Sequence, residues 1–379
     1  MSDKEKGNNG VPFLDLTMQY KAIKEEIREK LDEVLERQNL ILGPQVEELE
    51  KTVADYCGAK FSVGVGSGSD AILLSLMGFD IGSEDEVITT PFTFFSTASA
   101  IARVGARPVF VDIDIDTFNI DPKKIEEKIT KRTKAIIPVH LYGQCADMEA
   151  ITAIAKRNNL KVIEDAAQAI GAEYQTKESK RLKACSSGDS GCISFYPSKN
   201  LGCFGEGGMI TTNDEELSKK LKDLRVHGSK ERYYHYLIGV NSRLDTIQAL
   251  VLLVKIKYLD EWTRLRNKKA QIYNENLKDI VKTPYCKNGN FHVYNQYVIM
   301  SDKIKLIEET FREQKIGYGR YYPLPLHMQK CFQYLGYRKG DFPNSELASQ
   351  EALALPIYPE LSNYNQEKVI KAIKKSVQK

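Results

Sequence analysis

CISFYPSKNLGCFGEGGMITT, residues 192–212, reads as two short strands, Cys192–Tyr196 and Gly208–Thr212, joined through the glycine-rich turn Gly202–Gly208. The connection carries one lysine, Lys199. Upstream, Phe61–Gly66, Val87–Thr90, Arg107–Ile113, Lys134–Val139 and Lys161–Glu164 are rich in β-branched residues and predict further strands. Helical segments near 97–103, 122–130 and 146–158 alternate with them. Alternation of this kind builds a mostly parallel sheet with helices on both faces, an α/β fold.

Outside this array the texture changes. Ile23, Ile27, Leu31, Val34 and Leu35 recur at helical spacing, and Val46, Leu49, Val53 and Ala54 line a second helix after Gly43-Pro44. Asp214 caps a charged helix running to about Val226. A mostly helical tract, Leu244–Leu277, passes the lone Trp262 and is expected to bend near Tyr258. Beyond it come one strand, Val293–Met300, a helix over 303–313, a Pro/Tyr-rich loop over 320–327 and a last helix over 365–376. The expected division is a disordered tail at 1–10, a large α/β domain at 11–249 and a smaller α+β domain at 250–379.

The composition excludes several classes of function. With 54 basic and 51 acidic residues among 379, the charges are too evenly matched for a nucleic-acid binder. No apolar run is long enough for a membrane span, and the polar start MSDKEKGNNG is not a secretory signal. Seven scattered cysteines point to a reducing, cytoplasmic setting. The five histidines lack zinc-site spacing, so no metal is expected.

In open α/β sheets, ligands lie beyond the carboxyl ends of the strands. Four polar clusters fall there: Gly66–Asp70, the 89–97 segment TTPFTFFST, Asp165–Gln168 and Ser194–Asn200. Singly, each has an ordinary explanation. The first is a helix cap, the phenylalanines are core, Asp165 is a cap and Lys199 is a solvated turn residue. Together they fit pyridoxal phosphate. Helix-start amides and the Ser67 and Ser69 hydroxyls suit a phosphate, and an aromatic of the 92–95 group suits the ring. A carboxylate suits the ring nitrogen and lysine suits the aldehyde.

Glu164-Asp-Ala-Ala-Gln168 and SFYPSKNLGCFGEGG over 194–208 resemble the DegT/DnrJ/EryC1/StrS group of fold-type I aminotransferases, which act on nucleotide-linked keto-sugars. The likeness runs from Pro12–Leu16 through Leu42-Gly-Pro44 and Ser67–Ala71 to Leu355-Pro356. Ser69 stands where the family has threonine, and keeps the hydroxyl. The resemblance implies a Schiff base on Lys199, Asp165 on the pyridine nitrogen and Gln168 beside the ring oxygen. It further implies Ser194, Ser69 and the Gly68–Asp70 backbone around the phosphate and Phe94 against the ring, with Phe92 and Phe95 as packing. In similar enzymes the asparagine at Asn241 reaches the neighbouring subunit's phosphate and the arginine at Arg243 borders the substrate, which implies a homodimer with shared sites.

His140 is left open between pocket and core, and His227 is read as structural. Similar enzymes use the tract 321–327 near the sugar, so Tyr322 and His327 are substrate candidates. Arg320 beside them is either a carboxylate or diphosphate ligand or a surface residue. The resemblance implies L-glutamate as donor. It is closest to the branch acting on UDP-2-acetamido-2-deoxy-3-oxo-glucuronate, for lipopolysaccharide O-antigen, with amination at C3. A dTDP-linked 3- or 4-keto-6-deoxyhexose is the alternative, and a cofactor-retaining regulatory protein the remote one. A related sugar dehydratase carries histidine at the lysine position, and Lys199 argues against it.

Overall fold

The amphipathic start of the chain folds as read. In the computed structural model, which describes residues 10–378, α1 (Thr17–Arg37) buries Ile23, Ile27 and Val34, and α2 (Pro44–Cys57) buries Val46, Leu49, Val53 and Ala54. Residues 1–9 of the expected tail lie outside the described residues. The array continues as β1 (Phe61–Val65), α3 (Gly68–Gly78), β2 (Glu86–Thr89), α4 (Phe95–Arg103), β3 (Arg107–Phe110) and β4 (Thr133–Ile136). It then runs through α5 (Met148–Arg157), β5 (Lys161–Asp165), the hairpin β6 (Glu173–Gln175) and β7 (Arg181–Lys183), β8 (Ser190–Ser194) and β9 (Gly208–Thr212).

Seven of these strands form one sheet in the order β1-β9-β8-β5-β4-β2-β3. β9 runs antiparallel to both its neighbours, and every other pair is parallel. Six strands therefore end at one edge, and β9 begins there, with Ser194 opposite Gly208. The sheet is buried on both faces. Ile88, Ile136 and Ile193 pack under α2 and α5, while Val63, Ile163, Cys192 and Ile210 pack under α3 and α6 (Glu215–Leu224). Burying each large aliphatic chain contributes about 1.5–3 kcal/mol.

After the hairpin β10 (Ser229–Glu231) and β11 (Tyr234–His235), the long helical tract divides into α7 (Thr246–Ile256) and α8 (Leu259–Leu277). The break flanks Tyr258, where a bend was expected. A second core then gathers around β12 (Tyr297–Met300), α9 (Ile304–Glu313), β13 (Ala352–Leu355) and α11 (Asn363–Val377), while α10 (Pro343–Glu351) packs Ala348 in a separate cluster with Phe92 and Tyr142. Tyr273, Tyr297, Phe311, Leu353 and Val369 fill the second core, and the N-terminal Val11 joins them through a bridge to Ile316.

Three readings need correction. The helix expected at 122–130 is two single 3₁₀ turns, Pro122–Lys124 and Glu126–Lys128. Ile125 is buried in the core between them and Ile129 packs at its margin, too little apolar surface to nucleate an α-helix. The strand expected at 107–113 stops at Phe110, since Asp112 turns its carboxylate to the Asn344 and Ser345 amides. The strand expected at 293–300 begins only at Tyr297. Val293 N–H donates to the Gly143 carbonyl and Gln296 N–H to that of Tyr142, which diverts 293–296 to the edge of the large sheet. α10 and β13 carried no sequence signal. β13 is four short apolar residues whose partner, β12, lies over fifty residues upstream. No helix among the described residues is long and apolar enough to cross a membrane.

Candidate active site

A cavity of about 670 Å³ opens at the edge where the parallel strands end. Each wall follows from a local constraint. α3 starts immediately after β1, and Ser67 caps it by accepting the Asp70 N–H at 3.1 Å. The Gly68 and Ser69 amides, first in the helix, have no acceptor among the described residues, which is the ordinary state of a helix start and suits an anion. A Cβ on Gly68 would sit 2.6 Å from the Ser194 Cβ, and one on Gly208 would sit 2.4 Å from the Ser67 carbonyl. Glycine at both positions lets the β1–α3 turn close against β8 and β9. Ser69 Oγ lies 2.6 Å from Ser96 Oγ beside it.

Asp165 ends β5 and is buried. Its Oδ2 accepts from the Thr97 hydroxyl at 2.8 Å and its Oδ1 from the Ala167 N–H at 3.2 Å. Burial pushes this carboxyl above the usual range, against those bonds and the charge of Lys199. A carboxylate held this way gains most from a cationic N–H placed against it. Burial likewise pushes the Lys199 amine down to about 8, partly offset by the charge of Asp165. The two groups thus act on each other across the cavity wall.

The opposite wall brings Tyr322 against Tyr142, Gln168 and Phe94. Tyr142 N–H donates to Gln168 Oε1 at 2.7 Å, which aims the Gln168 NH₂ at the Tyr322 hydroxyl, 3.4 Å away. Phe94, 57% exposed, faces Tyr322 with ring centroids 6.3 Å apart. His140 lines the cavity but has no free nitrogen. Nδ1 accepts from the Ala146 N–H, which places the proton on Nε2 and directs it to Glu164 at 2.8 Å. Glu164 also accepts from the Cys185, Ser187 and Gly188 amides. His140 is therefore both wall and core.

Of the residues singled out in the sequence, Gly68, Ser69, Phe94, Asp165, Gln168, Ser194, Lys199, Arg320 and Tyr322 line this cavity. Phe92 is fully buried, while Phe95 packs on Phe332. Four others lie off the cavity wall. Asp70 accepts from the Ser242 hydroxyl at 3.0 Å, tying α3 to the 241–243 segment. Asn241 is exposed and accepts from Arg243 at 2.9 Å. His327 is buried between Phe342 and Glu346, with Nε2 3.1 Å from the Glu346 carboxylate. Arg320 reaches the wall, yet its guanidinium donates to the Ser349 and Gln350 carbonyls at 2.7 and 2.8 Å.

The sequence reading missed Thr97, Glu206, Asn295 and Gln296 as lining or supporting residues. Thr97 was within the quoted 89–97 segment, and its place one helical turn after Thr93 was the available signal. Asn295 and Gln296 had none, because they arrive from the diverted stretch before β12.

These donors fit pyridoxal phosphate. Free helix-start amides and hydroxyls stand at one end, an exposed aromatic at the side, a buried carboxylate without a cationic hydrogen-bond donor at the other end, and an amine near neutrality between them.

The family described as DegT/DnrJ/EryC1/StrS aminotransferases matches residues 21–374. A Geobacillus stearothermophilus protein named a pleiotropic regulatory protein is 52% identical over 96% of this chain and 97% of its own. The dTDP-3-amino-3,6-dideoxy-alpha-D-galactopyranose transaminase of Aneurinibacillus thermoaerophilus is 44% identical, over 96% and 98%. The UDP-2-acetamido-2-deoxy-3-oxo-D-glucuronate aminotransferase of Pseudomonas aeruginosa is 42% identical, over 93% and 96%. Among solved structures, S. venezuelae DesV in complex with a ketimine intermediate superposes with a TM-score of 0.94 at 35% identity, covering 98% of this chain and 99% of that one. The Bacillus subtilis protein ntda, with bound cofactor PMP, gives 0.90 at 32%, covering 100% and 87%.

Proposed function

The chain belongs to the DegT/DnrJ/EryC1/StrS aminotransferase family, and from that premise we propose that it transfers the amino group of L-glutamate to a dTDP-linked 3-keto-6-deoxyhexose. The coarser activity is pyridoxal-phosphate-dependent amination of a nucleotide-linked keto-sugar. The finer reading is carried by the charge of the cavity wall. Two carboxylates, Asp165 and Glu206, line it beside the amine of Lys199, which the cofactor would occupy, and the fork of Arg320 is closed on two backbone carbonyls. A neutral sugar ring needs no counter-cation, so the cations that pair the carboxylates of glutamate need not also serve the sugar. A uronate has to pair its carboxylate, and leaving it buried unpaired costs several kcal/mol. The Aneurinibacillus relative named for a dTDP-linked 3-amino sugar supports the same choice.

Pyridoxal phosphate, when bound, supplies the carbon that carries the amino group and a ring that stores the electron pair freed at the donor carbon. The chain's own residues do the rest. The Lys199 amine would take the proton from the donor Cα and deliver it to the cofactor carbon that carries the amino group. Asp165 would keep a positive charge on the ring nitrogen, and Ser69, Ser194 and the start of α3 would hold the phosphate. Gln168, held by the Tyr142 amide and turned to Tyr322, would lie beside the ring oxygen.

The test compares kcat/KM for a dTDP-3-keto-6-deoxyhexose and for UDP-2-acetamido-2-deoxy-3-oxo-glucuronate, with glutamate, by mass spectrometry. The neutral sugar is expected to be favoured by roughly 10- to 1,000-fold, the penalty of an unpaired charge. Preference for the uronate would instead support the reading shared with the Pseudomonas relative, with Arg243 or Arg320 re-aimed at its carboxylate. Glutamate alone should convert the cofactor to its amine form, a reaction that a regulatory binding protein does not need to perform.

The working unit is proposed to be a homodimer with shared sites. Asn241 and Arg243 stand outside their own cavity, and the adjoining hairpin exposes Tyr233, Tyr236 and Ile238, the last 92% exposed. A cluster of apolar surface of this kind ordinarily marks an interface. Sedimentation at micromolar concentration is expected to give a dimer, and an active monomer would overturn the assignment.

A further inference from the structure

Helix α7 turns two polar side chains toward the loop that follows Lys199. Lys255 is 3% exposed, and its ammonium donates to the Gly202 carbonyl at 2.6 Å while lying 5.0 Å from the centroid of the Phe204 ring. Gln248 lies two turns earlier on the same face. Its Oε1 accepts the Phe204 N–H at 2.8 Å, and its NH₂ donates to the Phe204 carbonyl at 3.4 Å. The loop is also closed on itself. Cys203 N–H donates to the Phe195 carbonyl, Phe195 N–H to that of Gly207 and Lys199 N–H to that of Tyr196, each at 2.8 Å. Gly202 packs so tightly that a Cβ there would lie 2.4 Å from the Pro197 carbonyl.

Among the described residues no carboxylate pairs with this ammonium. Its titratable neighbour among them is Cys203, and burial pushes that thiol up to about 11, so it stays neutral and supplies no counter-charge. Burial pushes Lys255 itself down to about 8. A buried charge without an opposite charge is costly, whereas methionine of similar length fills such a space without that cost. The function of the amine is therefore the carbonyl that it holds.

We propose that Lys255, assisted by Gln248, is a positioning residue that locks the 199–208 loop so that the Lys199 amine is presented to the cavity opposite Asp165. This rests on the reading of Lys199 as the residue that carries the cofactor.

Lys255→Met is the test, read in three ways. In the cofactor-free chain, amides of 199–208 are expected to exchange with solvent roughly 10- to 100-fold faster, while those of β12 and β13 keep their rates. In the wild type, the exchange of the loop relative to those strands should rise between about pH 7 and 9, as Lys255 loses its proton and the charge-assisted bond weakens; in the variant that rise should be absent. With cofactor, kcat should fall about tenfold with KM for glutamate nearly unchanged, the pattern of a misplaced Lys199 and not of weaker binding. Gln248→Met, which removes no charge, carries the exchange test should Lys255→Met not fold.

Unchanged loop exchange overturns the proposal, and so does faster exchange spread evenly over both cores, which is general destabilisation. Lys199→Ala run alongside separates the two readings. If it keeps turnover, the assignment of Lys199 fails. If it is inactive while Lys255→Met matches the wild type, only the clamp fails.

Discussion

Lys199→Ala should lose on the order of 10⁴-fold or more in kcat, since one residue supplies both the covalent attachment and the proton transfer. The environment of the amine is the reason. Burial brings it down to about 8, close enough to neutrality that an unprotonated fraction is present at physiological pH. Asp165 opposes the shift, so the pair is balanced and not simply desolvated. Alanine removes the amine without disturbing the loop backbone, because the Lys199 N–H bond to the Tyr196 carbonyl remains. Added pyridoxal phosphate should still bind through the α3 start and Asp165, but borohydride should no longer fix it to the chain. Wild-type turnover, or borohydride labelling at another lysine, would reject the assignment.

Asp165→Ala is expected to reduce kcat by about 10²–10³-fold, the scale of removing one preorganised electrostatic partner from a water-excluded site. Its carboxylate is buried, tethered by Thr97 and the Ala167 amide, and raised by desolvation. The fold pays for that burial in stability, so alanine should leave the apoprotein as stable as the wild type or slightly more so. The signature is a loss of rate, together with a lower pH midpoint for protonation of the bound cofactor's ring. A marked loss of thermal stability with unchanged kcat would make Asp165 structural. Thr97→Val should show a smaller version of the same loss, because it removes one of the two tethers and leaves the charge.

Much of this was legible in the chain itself. The β-branched runs and intervening amphipathic stretches specify strands and helices locally, and a parallel sheet follows because each crossover is long enough to hold a helix. Asp165 and Lys199 could be placed at strand ends for the same reason. Where the reading failed, the deciding contact was distant. Residues 293–296 have strand composition, yet they bond to Tyr142, Gly143 and Asn200, which no local pattern announces. The segment 122–130 has helical composition, yet only Ile125 is fully buried in a core, with Ile129 packed at its margin.

The candidate site divides along the same line. Residue types at the strand ends, read from spacing, announced a phosphate cradle, an acid and an amine. Their protonation behaviour, the closed fork of Arg320 and the burial of His327 away from the cavity depend on which groups the fold excludes from water and which carbonyls it brings near. Chain-local patterns record which backbone bonds form within a few residues. Desolvation and charge pairing are set by atoms tens or hundreds of residues apart, so only the tertiary structure decides them: Lys255 meets Gly202 across fifty-three positions, and Arg320 meets Ser349 across twenty-nine.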